Sequence, residues 1–318
     1  MMRRTTYRVA CLALAAALGS WNGATAQETT AFAFLRNDVG ARAAALAGSV
    51  TAVAGDPAGL FYNPASLGTL SSSAGSAGFF KHLLDINAGY AVYGGELAGI
   101  GSIGAGIVYT NYGSFDAKDE LGNPLGTFSA SDLAFSAGYS GTFEENLYYG
   151  GAVKFIYSSI AGYHASALAA DAGILYRIPE SRLTLGASIR NMGRETSTYA
   201  GVNEPLPLDF AVGVTVVPRG LPLLLNFDFH RLNENPGGFI DRFRAFTVGG
   251  EFTLSKVFLA RFGYNNQSRK DLQTGTTSGL AGFSAGIGIT ISGTVVDYAL
   301  SSLGPIGNLH RISVGTTF

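Results

Sequence analysis

Hydrophobic and polar positions alternate along the last eleven residues, Asn308 to Phe318. Ile312, Val314 and Phe318 share one face of a two-residue period with His310 and Thr316, while Arg311, Ser313, Gly315 and Thr317 take the other. A strand that is greasy on one side, polar on the other and ends on an aromatic is what closes a bacterial outer-membrane barrel. From about residue 70 onward the chain breaks into segments of roughly 8–15 residues parted by turn signals. Fourteen strands are predicted, near 73–81, 84–95, 98–112, 128–141, 147–161, 165–177, 183–192, 208–217, 223–231, 243–254, 257–266, 279–291, 294–301 and 309–317. An even number is what single-chain bacterial barrels use.

Several of these strands assign their own faces. Leu223, Leu225, Phe227 and Phe229 oppose Asn226, Asp228 and His230, and Phe246, Val248, Phe252 and Leu254 oppose Thr247 and Glu251. Phe258, Phe262 and Tyr264 oppose Arg261; Phe210, Val212, Val214 and Val216 oppose Asp209 and Thr215. Leu185 and Ile189 oppose Ser188 and Arg190, and Val296, Tyr298 and Leu300 oppose Asp297. A charge facing lipid near the bilayer midplane costs about 2–4 kcal/mol, so the polar set is expected to point into a lumen. Tyr93, Tyr112, Tyr148, Tyr149 and Tyr157 lie near segment ends, where interfacial girdles are expected. A soluble β-sandwich also alternates, but it does not need outward aromatics on nearly every strand.

The segment before the strands differs in kind. Residues 27–70 hold an alanine-rich run, Val39 to Gly48, and a stretch from Asp56 to Leu67 punctuated by Pro57 and Pro64. Gly48 is expected to stop one short helical turn and the Asn63-Pro64 step to set another. A compact, weakly helical segment ahead of a barrel reads as a lumenal hatch, with a periplasmic tail as the alternative. Residues 1–26 read as a cleaved Sec-type signal peptide: Arg3, Arg4 and Arg8, then an apolar run from Val9 to Leu18, then Ala24-Thr25-Ala26 before Gln27. Ten apolar residues are too few to span a bilayer as a helix, which needs about 20. Cys11, the only cysteine, falls in that run without a lipoprotein box, so neither a lipid anchor nor a disulfide is expected. The expected division is therefore 1–26 signal peptide, 27–70 hatch and 71–318 transmembrane antiparallel β-barrel of all-β class.

Composition sharpens this picture. Only 14% of residues are charged, against ~25% in ordinary soluble domains. Mean hydropathy is +0.23, yet after residue 26 no apolar stretch runs long enough for a membrane helix. Alternating lipid-facing and lumen-facing residues produce that combination. A net charge of −1 argues against nucleic-acid binding, which needs a basic patch.

Candidate chemistry is sparse. Gly99-Ile100-Gly101-Ser102-Ile103-Gly104 matches a dinucleotide fingerprint, but Ala105 to Thr110 continues a β pattern where that motif must open a helix. These glycines are expected to allow close packing beside the hatch. The four histidines, His82, His164, His230 and His310, lie far apart, and no nucleophile elbow is present. No catalytic, cofactor-binding or metal-binding residue is assigned, and no enzyme activity or cofactor is expected. The expected lumenal charges, Asp132, Lys154, Asp171, Arg190, Asp228, Glu251, Arg261, Asp297 and Arg311, carry both signs and read as a mutually neutralising network. Connections 113–127, 193–206, 232–241 and 267–278 are the longer and more polar ones, expected outside, where a partner would bind. With strand 73–81 rising outward, 113–127 is expected at the opposite end, in conflict with that placement.

With these residues identified, the chain resembles the PorV/PorQ family of outer-membrane barrels, and within it most closely the PorQ type. The resemblance rests on an ordered set: Phe34-Leu35, Ala41-Arg42-Ala43-Ala44, Leu46-Ala47-Gly48, Phe61-Tyr62-Asn63-Pro64-Ala65, Tyr112 to Asp116, and Gly126 to Ser131. It continues through Lys154 to Ser158, Ile189 to Gly193, Leu206 to Asp209, Arg261 to Lys270, Gly282 to Gly286 and Asp297-Tyr298. The ending His310-Arg311-Ile312-Ser313 is instead PorV-like. The resemblance implies a FadL-like barrel in the bacterial outer membrane, surrounded by lipid, serving the type IX protein secretion system. It further implies a non-enzymatic anchor whose external loops hold attachment-complex proteins: a PorZ-like surface protein beside a PorU/PorV-like sortase and shuttle. A FadL-like transporter of hydrophobic small molecules is the alternative, and a general porin, which needs an open lumen, is a third.

Overall fold

Alternating patterns become strands that pair only with their neighbours. In this computed structural model β1 is Ala74–Lys81, β2 Asn87–Leu97, β3 Gly101–Lys118, β4 Pro124–Glu144, β5 Leu147–Ile160, β6 Tyr163–Ile178 and β7 Leu183–Ser197. The second half comprises β8 Asp209–Val216, β9 Leu223–Phe229, β10 Phe246–Thr253, β11 Phe258–Asn265, β12 Phe283–Ile291, β13 Thr294–Ser302 and β14 Asn308–Thr317. The structure describes residues 30–81, 86–199, 201, 203–234, 238, 240–273 and 279–318. The expected signal peptide, Cys11 and His82 lie outside the described residues, as do parts of connections 193–206, 232–241 and 267–278.

The sheet closes: β14 returns antiparallel to β1, from Ala74 opposite Thr317 to Lys81 opposite His310. Closure satisfies the backbone without an edge strand, as a hydrocarbon environment requires. Among the described residues no helix is long and apolar enough to cross a membrane.

The faces follow the alternation. Asn226, Asp228, Thr247, Glu251, Arg261, Asp297, Arg311 and Ser313 are buried inside, while Phe227, Phe258, Phe262, Val296, Ile312 and Val314 are exposed on the outer surface. Two expected girdle residues do not fit. Tyr112 continues the inward parity of Val108 and Thr110 and donates to Asp132 Oδ2 (2.6 Å). Tyr148 sits inside the barrel beside Gly68, on the opposite parity from Tyr149. Tyr93, Tyr149 and Tyr157 face outward.

The connections sort by end. Those after even strands are short, such as 145–146 and 292–293, whereas 198–208, 230–245 and 266–282 follow odd strands. Outer-membrane barrels put their long loops outside, which defines the outer end. The segment 113–127 follows β3 and so shares that end; the expected conflict is a miscount of strands. It is also not a loop but the continuation of β3 and β4, turning over 119–123, just as 193–197 continues β7.

The N-terminal segment lies within the barrel. It starts at the outer end, where the Ala31 amide donates to Pro205 O (3.1 Å) and Phe32 and Phe34 pack against Ala134, Ile156, Ala165 and Ala167. It leaves at the inner end, where the Phe318 amide donates to Ser73 O (2.8 Å). Between them lie a 3-10 turn Ala33–Arg36, helix α1 (Ala41–Ala45), and 3-10 turns Pro57–Phe61 and Pro64–Thr69. Helix α1 ends in paired reverse bonds, Gly48 N–H to Ala43 O (2.9 Å) and Ala47 N–H to Ala44 O (3.0 Å), so Ala47 shares the left-handed stop with Gly48. Asn63 caps the last turn by accepting from the Ala65 amide (3.2 Å).

Glycine makes room for this segment. Lumen-facing glycines pair laterally across strands, Gly94 with Gly104 and Gly138, Gly150 with Gly173, Gly186 with Gly213, and Gly249 with Gly263. A Cβ on Gly263 would stand 2.5 Å from Ala47 N, and one on Gly150 would run into the Pro64 and Ala65 backbone. Of the rejected dinucleotide motif, Gly104 serves this packing against Leu67; Gly99 lies in the inner turn with nothing near it.

Candidate lumenal site

The alanines of α1 let the hatch approach the wall, and Arg42, held by Asp56 beside it, ties the hatch there. Arg42 donates to both carboxylate oxygens of Glu251 (Nε 2.9 Å, Nη2 3.0 Å) and to Asp56 Oδ2 (3.1 Å). These carboxylates hold the Arg42 guanidinium above its ordinary pKa, Glu251 most strongly. Arg261 completes the cluster, with Nε 2.6 Å from Glu251 and Nη1 2.6 Å from Asp297. Three further bonds pin the hatch elsewhere: Thr51 N–H to Asp228 Oδ2 (2.8 Å), Asn63 Nδ2 to Ile174 O (3.0 Å) and Ser140 Oγ to Ala65 O (3.1 Å).

The expected lumenal charges are all on the inner side, but in separate groups. Lys154 bridges Asp171 (2.7 Å) and Asn191 Oδ1 (2.8 Å); Arg190 pairs with Asp209 and lies 5.5 Å over the Tyr62 ring. Asp132 is held by Tyr112 and Ser158 near the outer end. Arg311 stacks over Phe80 at 5.3 Å rather than joining an acid. The other basic residues of the set, Lys154, Arg190 and Arg261, each pair with a carboxylate. His230 lies 3.5 Å from Asp209, whereas His164 and His310 face outward against Tyr157 and Tyr298. Among the described residues no cluster of His, Cys, Asp or Glu could hold a metal ion.

Two cavities flank the hatch. The inner one, about 220 Å³, opens beside the start of β1 and the end of β14. Val39, Ala43, Val50, Val53, Tyr62 and Tyr90 give it an apolar side, and the Arg42 cluster gives it a charged one. The outer one, about 120 Å³, is polar, with Asn37, Asp38, Arg190, Asp209, His230 and Arg231 around it. Tyr62 lines both. Its hydroxyl accepts from Val39 N–H (2.6 Å) and lies 3.1 Å from Val39 O, which fixes the ring where it lines both spaces. Burial, reinforced by Asp38, raises the Tyr62 phenol well above its ordinary pKa and keeps it neutral. Burial likewise raises the Asp38 carboxyl.

Arg42, Asp56 and Tyr62 escaped the sequence reading as site residues. A signal that could have found Arg42 and Asp56 is that they are the charged residues of the alanine-, glycine- and proline-rich stretch 39–70.

No protein-family model and no curated protein matches the chain. Solved structures do. The toluene transporter TbuX of Ralstonia pickettii superposes with a TM-score of 0.61 at 13% identity, over 88% of this chain and 98% of that one. The toluene transporter TodX of P. putida gives 0.58 at 14% identity, over 89% and 99%. A FadL homologue of Pseudomonas aeruginosa gives 0.54 at 10%, over 88% and 98%. At these identities the likeness is one of architecture: the chain folds as a FadL-type closed barrel of fourteen antiparallel strands.

Proposed function

We propose that this chain is an outer-membrane channel of FadL type that passes small hydrophobic molecules and performs no covalent chemistry. The observation that carries the reading is the inner cavity of about 220 Å³, one side of which is lined by Val39, Ala43, Val50, Val53, Tyr62 and Tyr90. A cavity of ~150 Å³ lined by apolar side chains suffices for benzene, so this one suits a ring-sized guest. The charged lumen does not oppose this reading, because Arg42, Arg190, Arg261 and Lys154 are each matched to a carboxylate. An open porin is disfavoured by the hatch that occupies the lumen. The test is binding of a fluorescent monoaromatic probe to the purified barrel in detergent. Saturable binding that Val53→Arg abolishes supports the channel; binding that ignores Val53→Arg removes its basis.

The type IX anchoring role is a second reading, favoured by a different observation. The wall formed by β3 to β7 stands taller than the rest, with β4 running 21 residues against 7 for β9. It offers a surface-exposed platform to an attachment-complex partner of PorZ-like or PorU/PorV-like kind. Purification of a tagged copy from its own membrane tests it: a stoichiometric surface protein that dissociates when the outer connections are shortened supports anchoring, and a partner-free barrel carrying an apolar guest removes it.

A further inference from the structure

Across the tall wall, two outward rows lie one above the other. Tyr109, Leu133 and Tyr157 are laterally paired, and one step further out Asn111, Ser131, Ser159 and His164 are paired in the same way. An apolar row giving way to a polar one marks the membrane boundary on this side. Everything beyond that row stands in water, and the part that extends furthest is a two-stranded ribbon. Ser114 to Lys118 of β3 pair with Pro124 to Ser129 of β4 around a turn in which Asp119 accepts from the Leu121 and Asn123 amides (2.9 and 2.8 Å).

The β4 edge of this ribbon is open among the described residues: pairing of β4 with β5 stops at Ala130 opposite Ile160. One bond lies beyond, from the Ala161 amide to Ser129 O (3.1 Å). Isolated two-stranded ribbons are marginal in water, and open edges are templates for another strand. The ribbon also shows apolar side chains to water: Phe115 at 42% exposure, Leu121 at 88% and Leu125 at 68%, with Tyr163 at 65% at the neighbouring start of β6. Phe115 and Phe128 stack at 5.3 Å on one face. Its charges are one-sided, Asp116, Asp119 and Glu120 against Lys118.

We infer that the ribbon 114–129 is a docking element for a partner polypeptide that adds an extended, net-basic segment to its open edge. Main-chain bonds along the edge supply the contact, Phe115 and Leu125 supply apolar anchors, and the acidic turn selects a basic segment. The inference rests on the anchoring reading and places that contact on one element.

The test is photo-crosslinking in the native membrane with the full chain. The crosslinking residue is placed singly at Leu121, at Thr127 and, for comparison, at Gln267 in the outer connection after β11. Adducts from positions 121 and 127 to one polypeptide, whose sequenced crosslinked peptide is extended and rich in Lys or Arg, support the inference. Asp116→Lys with Glu120→Lys is expected to lower that yield about fivefold while heat-modifiable barrel migration stays intact, since each exposed pair is worth up to about 1 kcal/mol. Polypeptide adducts from position 267 alone would overturn the ribbon and leave anchoring standing. Lipid adducts alone, or none at any position, would overturn both. A polypeptide adduct unchanged by the charge reversals would overturn the basic-segment assignment.

Discussion

At the scale of single residues, direction decides cost. Phe227 faces lipid and Asn226, beside it in β9, is buried in the lumen against Thr215 Oγ1, 2.7 Å away. Phe227→Arg is expected to cost about 2–4 kcal/mol at mid-membrane and to impair assembly far more than Asn226→Arg. Folding yields by heat-modified gel migration measure this, and equal losses would refute the assigned faces. Asn63 joins three hatch and wall contacts, to Thr51 O (2.8 Å), Ile174 O (3.0 Å) and the Ala65 amide. Asn63→Ala leaves those groups unpaired at about 1–3 kcal/mol each, so hatch residues should become protease-sensitive while the barrel stays folded. Removing one hydroxyl is a finer probe: Tyr62→Phe keeps the ring but loses the bonds to Val39, and guest release between the cavities should quicken. An unchanged off-rate would mean that the ring alone forms the barrier.

At the scale of elements, the strands were legible because lipid outside and a polar lumen inside impose a two-residue period on every one of them. The first strand, 73–81, was the least patterned in sequence, and it forms as β1 because β14 and β2 flank it on both sides. What the period could not show is where strands run past the membrane. Beyond Tyr109 the outward residues turn polar, so 113–118 reads as a loop although its ladder with β4 continues. Tyr112 is expected in a girdle from its place near a segment end, but it keeps the inward parity of Val108 and Thr110 and serves Asp132. The glycine belt makes an element-scale prediction. Gly263→Val places its side chain against the Leu46-Ala47 backbone, whereas Gly250→Val, one residue pair away on the outer face, meets only the Phe262 ring. The first should displace the hatch and the second should not, as limited proteolysis of residues 31–70 would reveal.

At the scale of the whole molecule, hatch and barrel are one lumenal unit held by charge pairs and by the absence of side chains at the belt. Deleting residues 31–70 should therefore leave a closed barrel that conducts ions in planar bilayers, where the intact chain conducts little. Conductance unchanged by the deletion would show that the hatch is not the plug. Arg42→Ala should give an intermediate result, since it cuts the hatch from Glu251 on the wall but spares the wall bonds at Thr51 and Asn63.

The order of residues along the chain determined the barrel, its strand number and the inward placement of Asp132, Lys154, Asp171, Arg190, Asp228, Glu251, Arg261, Asp297 and Arg311, because each of these follows from local period against a two-sided solvent. It also marked 27–70 as different in kind. Only the tertiary structure decided which charges meet, since Arg42 and Glu251 are separated by 209 positions. It alone decided that cavities flank the hatch with Tyr62 lining both, because a void is a property of surfaces brought together from distant segments and leaves no local pattern. The open-edged ribbon belongs to the same class: pairing is written into each strand, but where a neighbour stops is settled only when all fourteen are in place.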